Sequence, residues 1–229
     1  MILILRGHIR ESFNDNLLAF FVKTLCDKYE DLKIYIHTWN KFASPVSWRE
    51  IEENDNIVTE ELIKNYFKDV DNNIVSITIE DDKRIWLIGR LEGNVYSSFS
   101  PISGWKRMWY GKYKTIETVQ LNESENDVVI NTRFDLFIYS CSANFSKLLL
   151  FIEDCLNKNE IRKRNVFYLQ SQLHGQCGCE SFYMGNVNTM HMIASIFHYN
   201  LDNLHLMYNG MHNPELSVID VNNRLFLNH

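Results

Sequence analysis

Hydrophobic positions along the chain follow two rhythms. Five short apolar runs, Met1–Leu5, Leu32–His37, Ile74–Ile79, Asp127–Thr132 and Val166–Leu169, are rich in Ile, Val, Phe or Tyr and predict buried strands. Between them, apolar residues recur at three and four. Leu17, Leu18, Phe21 and Leu25 do so within Asn16–Tyr29, and Leu62, Ile63, Tyr66, Phe67 and Val70 do so after Thr59, an N-cap followed by the acidic turn Glu60-Glu61. Trp105, Met108, Trp109, Tyr113 and Ile116 form a third such face, and Leu148, Leu149, Ile152 and Leu156 a fourth. A late helix is expected over Val187–Tyr199, and a final one from Pro214-Glu215, capped by Asn213. Strands alternating with helices imply an α/β fold with a mostly parallel central sheet flanked by helices. The long polar connection from Glu80 to Gly104 is then expected near the carboxyl ends of the strands, where such sheets bind ligands.

Composition narrows this picture. The 229 residues are 45% hydrophobic and 23% charged, enough to close one core, and a single domain over 1–229 is expected. Only 9 Gly and 3 Pro leave little material for linkers or modules. The net charge of −6 excludes a broad nucleic-acid surface, because phosphate neutralisation needs a basic field and the longest basic cluster is Arg162-Lys-Arg164. Cys26, Cys141, Cys155, Cys177 and Cys179 are odd in number, and the apolar start Met1–Leu5 is too short for a signal peptide or a span. A reducing, cytoplasmic setting with free thiols is expected. Cys177-Gly-Cys179 lacks the spacing of zinc knuckles and redox pairs.

Three segments carry candidate chemistry. In Arg6-Gly-His-Ile-Arg10, directly after the first strand, Gly7 permits close backbone approach to a ligand, and Arg6 and Arg10 can each offer a donor fork to a diphosphate. The same residues could equally form a strand-to-helix turn with solvated arginines. Residues 127–135 run from a strand into Arg133-Phe-Asp135. There Asp135 can hold a divalent cation, while Arg133 can neutralise phosphate or pair with Asp135. In His174–Gly185, Glu180 follows a glycine turn and can act as a general base or cap the loop. His37 ends the second strand and can face the same crevice, and His212 is a late-chain ligand candidate. His191, His198, His205 and His212 recur every seven residues, but Asn200, Asp202, Asn203, Asn209 and Gly210 interrupt any single helix. Trp105 and Trp109 can stack on a sugar or fill the core.

The ordered series of an apolar strand into Arg6–Arg10, Ile36-His-Thr-Trp39, Gly104–Tyr110, Asp127–Asp135, Glu180–Gly185 and His212–Glu215 spans nearly the whole chain. It resembles a loosely defined family of small bacterial and viral proteins regarded as GT-A-like glycosyltransferases of surface polysaccharide synthesis. The resemblance implies a Rossmann-like domain, with residues 1–135 as the nucleotide-sugar donor half and 136–229 as the acceptor half. It implies a nucleotide-diphosphate sugar donor, a glycan or lipid-linked acceptor, and often a divalent cation, Mn or Mg, at Asp135, to which the residue reading adds His212 as a candidate metal ligand. It carries Arg6, Arg10 and Asp135 toward donor binding and Glu180 toward the acceptor side, where an inverting enzyme would need a base; Gly7, His37 and Arg133 at the donor, and Trp105 and Trp109 at the sugar, are candidates by residue type. A lipid-linked acceptor would bring the chain to the inner face of the membrane. The family motif reads Arg-any-Asp or Asp-any-Asp; Arg133-Phe-Asp135 lacks the first acid, which leaves metal dependence open. A non-catalytic partner subunit on the same fold, or a phosphosugar transferase using the same arginines, are the alternatives.

Overall fold

The apolar runs become the strands of one sheet. The computed structural model describes residues 1–43, 53–138, 143–169 and 181–226. Its strands are β1 (Ile2–Arg6), β2 (Lys33–Trp39), β3 (Lys41–Ala43), β4 (Glu53–Ile57), β5 (Ile74–Glu80), β6 (Val128–Arg133), β7 (Val166–Phe167) and β8 (Phe182–Asn186). Its α-helices are α1 (Leu17–Lys28), α2 (Glu60–Tyr66), α3 (Ile102–Asn122), α4 (Phe145–Lys158), α5 (Val187–Tyr199), α6 (Leu201–Met207) and α7 (Glu215–Phe226). Six strands form the main sheet in the order β5-β2-β1-β6-β8-β7, and β3 pairs with β4 apart from it. The four contiguous strands β5, β2, β1 and β6 are parallel; β8 runs antiparallel to β6 and to β7. The architecture is therefore the mostly parallel α/β layer fold that the alternation of rhythms implies.

Alternation along the strands assigns the two faces. Leu3, Leu5, Ile34, Ile36 and Ile130 pack with Leu18, Phe21, Val22 and Leu25 of α1 and Leu148 and Ile152 of α4. Ile2, Ile4, Tyr35 and Val129 pack on the opposite face with Ile116 and Val119 of α3 and Val187, Met190 and Ala194 of α5. The central strands are buried on both faces, which is why their sequences read as continuous apolar runs. A further cluster lies where Trp105 and Trp109 of α3 meet Ile193 and Phe197 of α5, Leu201 and Leu204 of α6, and Val218 and Val221 of α7.

Caps fix several helix starts. The Thr59 side chain accepts from the Leu62 N–H, Asn144 from Lys147, and Asn186 and Thr189 form a reciprocal box at the start of α5. Asn213 accepts from the Glu215 N–H as expected.

The structure departs from the sequence pattern in three places. The run Val166–Leu169 gives only a two-residue strand. Phe182–Asn186, an aromatic segment without β-branched residues, is the fully buried strand β8 because β6 and β7 flank it on both edges. Asn200 ends α5 as anticipated, yet α6 resumes at once because Leu201 and Leu204 drop into the third cluster.

Candidate active site at the carboxyl ends of the central strands

Chain order places a switch point between β1 and β6: from β1 the sheet grows through β2 to β5 on one side and through β6 on the other. A crevice outside the carboxyl ends at such a point is where open α/β sheets bind ligands. The last residues of β1 and β6 meet there in register, Arg6 opposite Arg133, and on its other side Arg6 stands opposite His37 of β2, two residues before that strand ends. Gly7 then turns the chain at φ +92°, donating its N–H to the His37 carbonyl at 3.1 Å, while the Thr38 hydroxyl donates to the Gly7 carbonyl at 2.9 Å. A Cβ at Gly7 would meet nothing within 4 Å, so the left-handed backbone, and not crowding, calls for glycine.

Two guanidinium groups contact one carboxylate here, and the charge of a third, Arg6, also reaches it. Arg133 grips Asp135 with two parallel bonds, Nε to Oδ1 at 2.7 Å and Nη2 to Oδ2 at 2.6 Å. Arg10 Nη1 stands 3.3 Å from the same Oδ2. Arg6 is 2% exposed and donates from Nε to Asn131 Oδ1 at 2.7 Å, one polar step back along β6 on the same face. Arg10 holds a left-handed backbone at φ 53°, which costs a non-glycine residue about 1 kcal/mol. Such strain persists only where surrounding contacts over-determine it, and the ion pair to Asp135 is one of them. Burial by itself would raise the Asp135 carboxyl, but the charges of Arg133, then Arg10, the hydrogen bonds from Arg133 and the charge of Arg6 together hold it below the usual carboxylate range. His8, in the same turn, is pushed down to about 4, mainly by burial and next by the Arg10 charge, against the upward pull of a hydrogen bond to the Lys41 backbone and of Asp135. It is a neutral imidazole at neutral pH, packed beside Trp39 with its buried Nδ1 unbonded.

The other sequence candidates fall elsewhere. Trp105 and Trp109 belong to the third hydrophobic cluster rather than to a sugar crevice. Trp109 is 1% exposed, stacks on Phe197 at 4.2 Å between ring centroids and carries the Lys112 ammonium 3.8 Å from its ring. His37 reaches the strand ends in sequence but is buried under α3, with Nε2 2.8 Å from Glu80 Oε2. Glu180 lies outside the described residues. His212 is exposed on the turn before α7, its Nδ1 3.1 Å from the Ser97 carbonyl.

A divalent cation does not fit Asp135 as it stands. Both carboxylate oxygens are engaged by arginine, and a cation there would face three positive charges at close range. Among the described residues no three His, Cys, Asp or Glu side chains stand close enough together to hold a metal ion.

Sequence reasoning passed over three residues. Asn131 is a lone amide inside an apolar strand, a signal of a buried polar partner, and Arg6 is that partner. Glu80 ends β5 and joins His37 to Tyr110, whose hydroxyl donates to Oε1 at 2.9 Å; the His37 bond above all holds its carboxyl low. Gly111 sits within α3, where a Cβ would meet His37 Nδ1 at 3.0 Å; a mid-helix glycine is the visible trace of that close approach.

No family model and no curated protein matches the chain. Among solved structures, it is similar to the galactosyltransferase LgtC in complex with donor and acceptor sugar analogs, at 12% identity and a TM-score of 0.40, with 99% of this chain and 70% of that chain covered. An active-site mutant of LgtC gives 12% identity and a TM-score of 0.38 over the same shares. Both likenesses concern general layout and are too loose to carry residue roles across.

Proposed function

We propose that this chain is a glycosyltransferase that moves a sugar from a nucleotide-diphosphate sugar to a glycan or lipid-linked acceptor. The observation that carries this reading is the convergence of Arg6, Arg10 and Arg133 around Asp135 beyond the carboxyl ends of β1 and β6. Guanidinium groups outnumber the carboxylate they surround, and their planar forks suit phosphate oxygens. The ordered motifs that resemble GT-A-like enzymes support the same reading.

In the transfer, the acceptor hydroxyl oxygen bonds to the anomeric carbon while the bond from that carbon to the phosphate oxygen breaks. The electron pair leaves with the nucleoside diphosphate. Arg6, Arg10 and Arg133 are placed to meet the negative charge that grows on it, and such preorganised donors act most strongly where water is excluded. Glu180 is proposed to take the hydroxyl proton in an inverting transfer. Residues 1–135 would form the donor half and 136–229 the acceptor half. A lipid-linked acceptor would be met at a membrane surface; among the described residues no helix is long and apolar enough to cross a membrane.

A thermal-shift screen of nucleoside diphosphates tests the reading, because a ligand that binds only the native state raises its apparent stability. At least one is expected to raise the melting temperature, and the matching nucleotide sugar to yield a glycoside carrying no phosphate. No shift with any of them would overturn the reading, and phosphate travelling with the sugar would reassign the chain to phosphosugar transfer.

A further inference from the structure

We infer that this site holds the diphosphate of its donor through guanidinium groups without a divalent cation, and that Asp135 positions those groups instead of ligating a metal. The inference rests on the donor reading above and specifies how that site works.

Four observations carry it. Asp135 presents no oxygen that is not already in an arginine contact: Oδ1 accepts from Arg133 Nε, and Oδ2 accepts from Arg133 Nη2 and pairs with Arg10. Its side chain is only 4% exposed, whereas Mn and Mg need several oxygen ligands at short distance, commonly including water. Arg6 and Arg133 end neighbouring strands in register, and like charges directly opposite each other in a sheet are destabilising unless something negative lies between them. Asp135 answers part of that repulsion, and a bound diphosphate would lower it further. Finally, Arg10 keeps a left-handed backbone while its guanidinium turns to Asp135, so the carboxylate fixes the direction of both Arg10 and Arg133.

The test is calorimetric titration of the full chain with inorganic pyrophosphate and with nucleoside diphosphates, once in EDTA and once in manganese. Binding is expected in EDTA, with manganese changing the dissociation constant by less than about fivefold. Binding that needs manganese, or is tightened by it more than about fivefold, overturns the inference and leaves the donor reading intact. Absence of binding in both conditions defeats the donor reading itself.

Two variants separate positioning from ligation. Asp135→Ala is expected to lose at least about tenfold in affinity in EDTA, and Asp135→Asn, which keeps one acceptor oxygen for Arg133, to recover part of that loss. Both losses should be the same in manganese as in EDTA. A loss confined to manganese would make Asp135 a metal ligand. Arg133→Lys keeps the charge but not the fork and is expected to weaken binding in EDTA; unchanged affinity in that variant, with its melting transition intact, would also overturn the inference.

Discussion

Two regions of the molecule drew attention for the same reason, residue types suited to ligands, and they resolve in opposite ways. At the ends of β1 and β6, charged groups are brought together under constraint: a buried Arg6, a left-handed Arg10 and a bidentate Arg133 around one carboxylate. Beneath the α5–α7 helices, Trp105 and Trp109 lie among Phe197, Leu201, Leu204 and Val218, where aromatic and aliphatic surfaces fill one another's space. The first region concentrates like charge that the fold tolerates only with a counter-ion. The second removes apolar surface from water and gains stability by doing so. A tryptophan can serve a sugar or a core equally well, and its spacing along a helix favours the core. Arginines drawn together around one carboxylate suit either an anion site or a structural ion pair, which is the choice that ligand titration decides.

The largest effect that can break the comparison is expected in the second region. Trp109→Ala removes a fully buried indole stacked on Phe197 and should cost about 3–5 kcal/mol of unfolding free energy in denaturant titration. Nucleoside diphosphate affinity of the folded fraction should be unchanged. If that affinity falls while stability holds, Trp109 lines the ligand site after all and the contrast collapses.

Next in size is Arg133→Ala, which should lower transfer by roughly 100- to 1000-fold, as loss of one charge-stabilising donor does elsewhere. Its melting temperature should fall, because the buried Asp135 carboxylate loses its bidentate partner, so the rate is compared for the folded fraction. Rates within about twofold of the parent would remove Arg133 from the site.

The smallest effect concerns pH. His8 is held at about 4 in the folded chain, against about 6.5 when unfolded. Between these values the unfolded chain binds a proton that the folded chain refuses. The stability tied to neutral His8 is therefore complete above pH 6.5 and is lost as pH falls through 4, a change on the order of 3 kcal/mol. His8→Phe should flatten the melting temperature between pH 6.5 and 4, and an unaltered profile would place the acid sensitivity in other groups.

Much of this fold was legible in the sequence because buried parallel strands must be apolar on both faces. β1, β2 and β6 therefore stand out as runs, the edge strand β5 does so through its Ile and Val content alone, and α1, α3, α4 and α5 stand out as stripes at helical spacing. β8 was not legible, since Phe182-Tyr-Met-Gly-Asn186 becomes a strand through its neighbours β6 and β7 and not through its own propensity. α6 was hidden by its Asn and Asp residues, which solvent accepts while Leu201 and Leu204 anchor the opposite side. Of the candidate site, Arg6, Gly7, Arg10, Arg133 and Asp135 were visible as strand-end motifs. Asn131 and Glu80 were not singled out, because a single polar residue inside or ending a strand has meaning only once its partner across the sheet is known.

By itself, the sequence determined the layer architecture, the order of most elements and the placing of arginine, glycine and aspartate at strand ends, because periodicity and strand termination are local properties. Only the tertiary structure decided that residues more than a hundred positions apart share one cluster, that Asp135 faces guanidinium groups, and that the tryptophans turn inward. Those outcomes depend on strand register and on helix packing against the sheet, and both are set by long-range burial of apolar surface that no local pattern encodes.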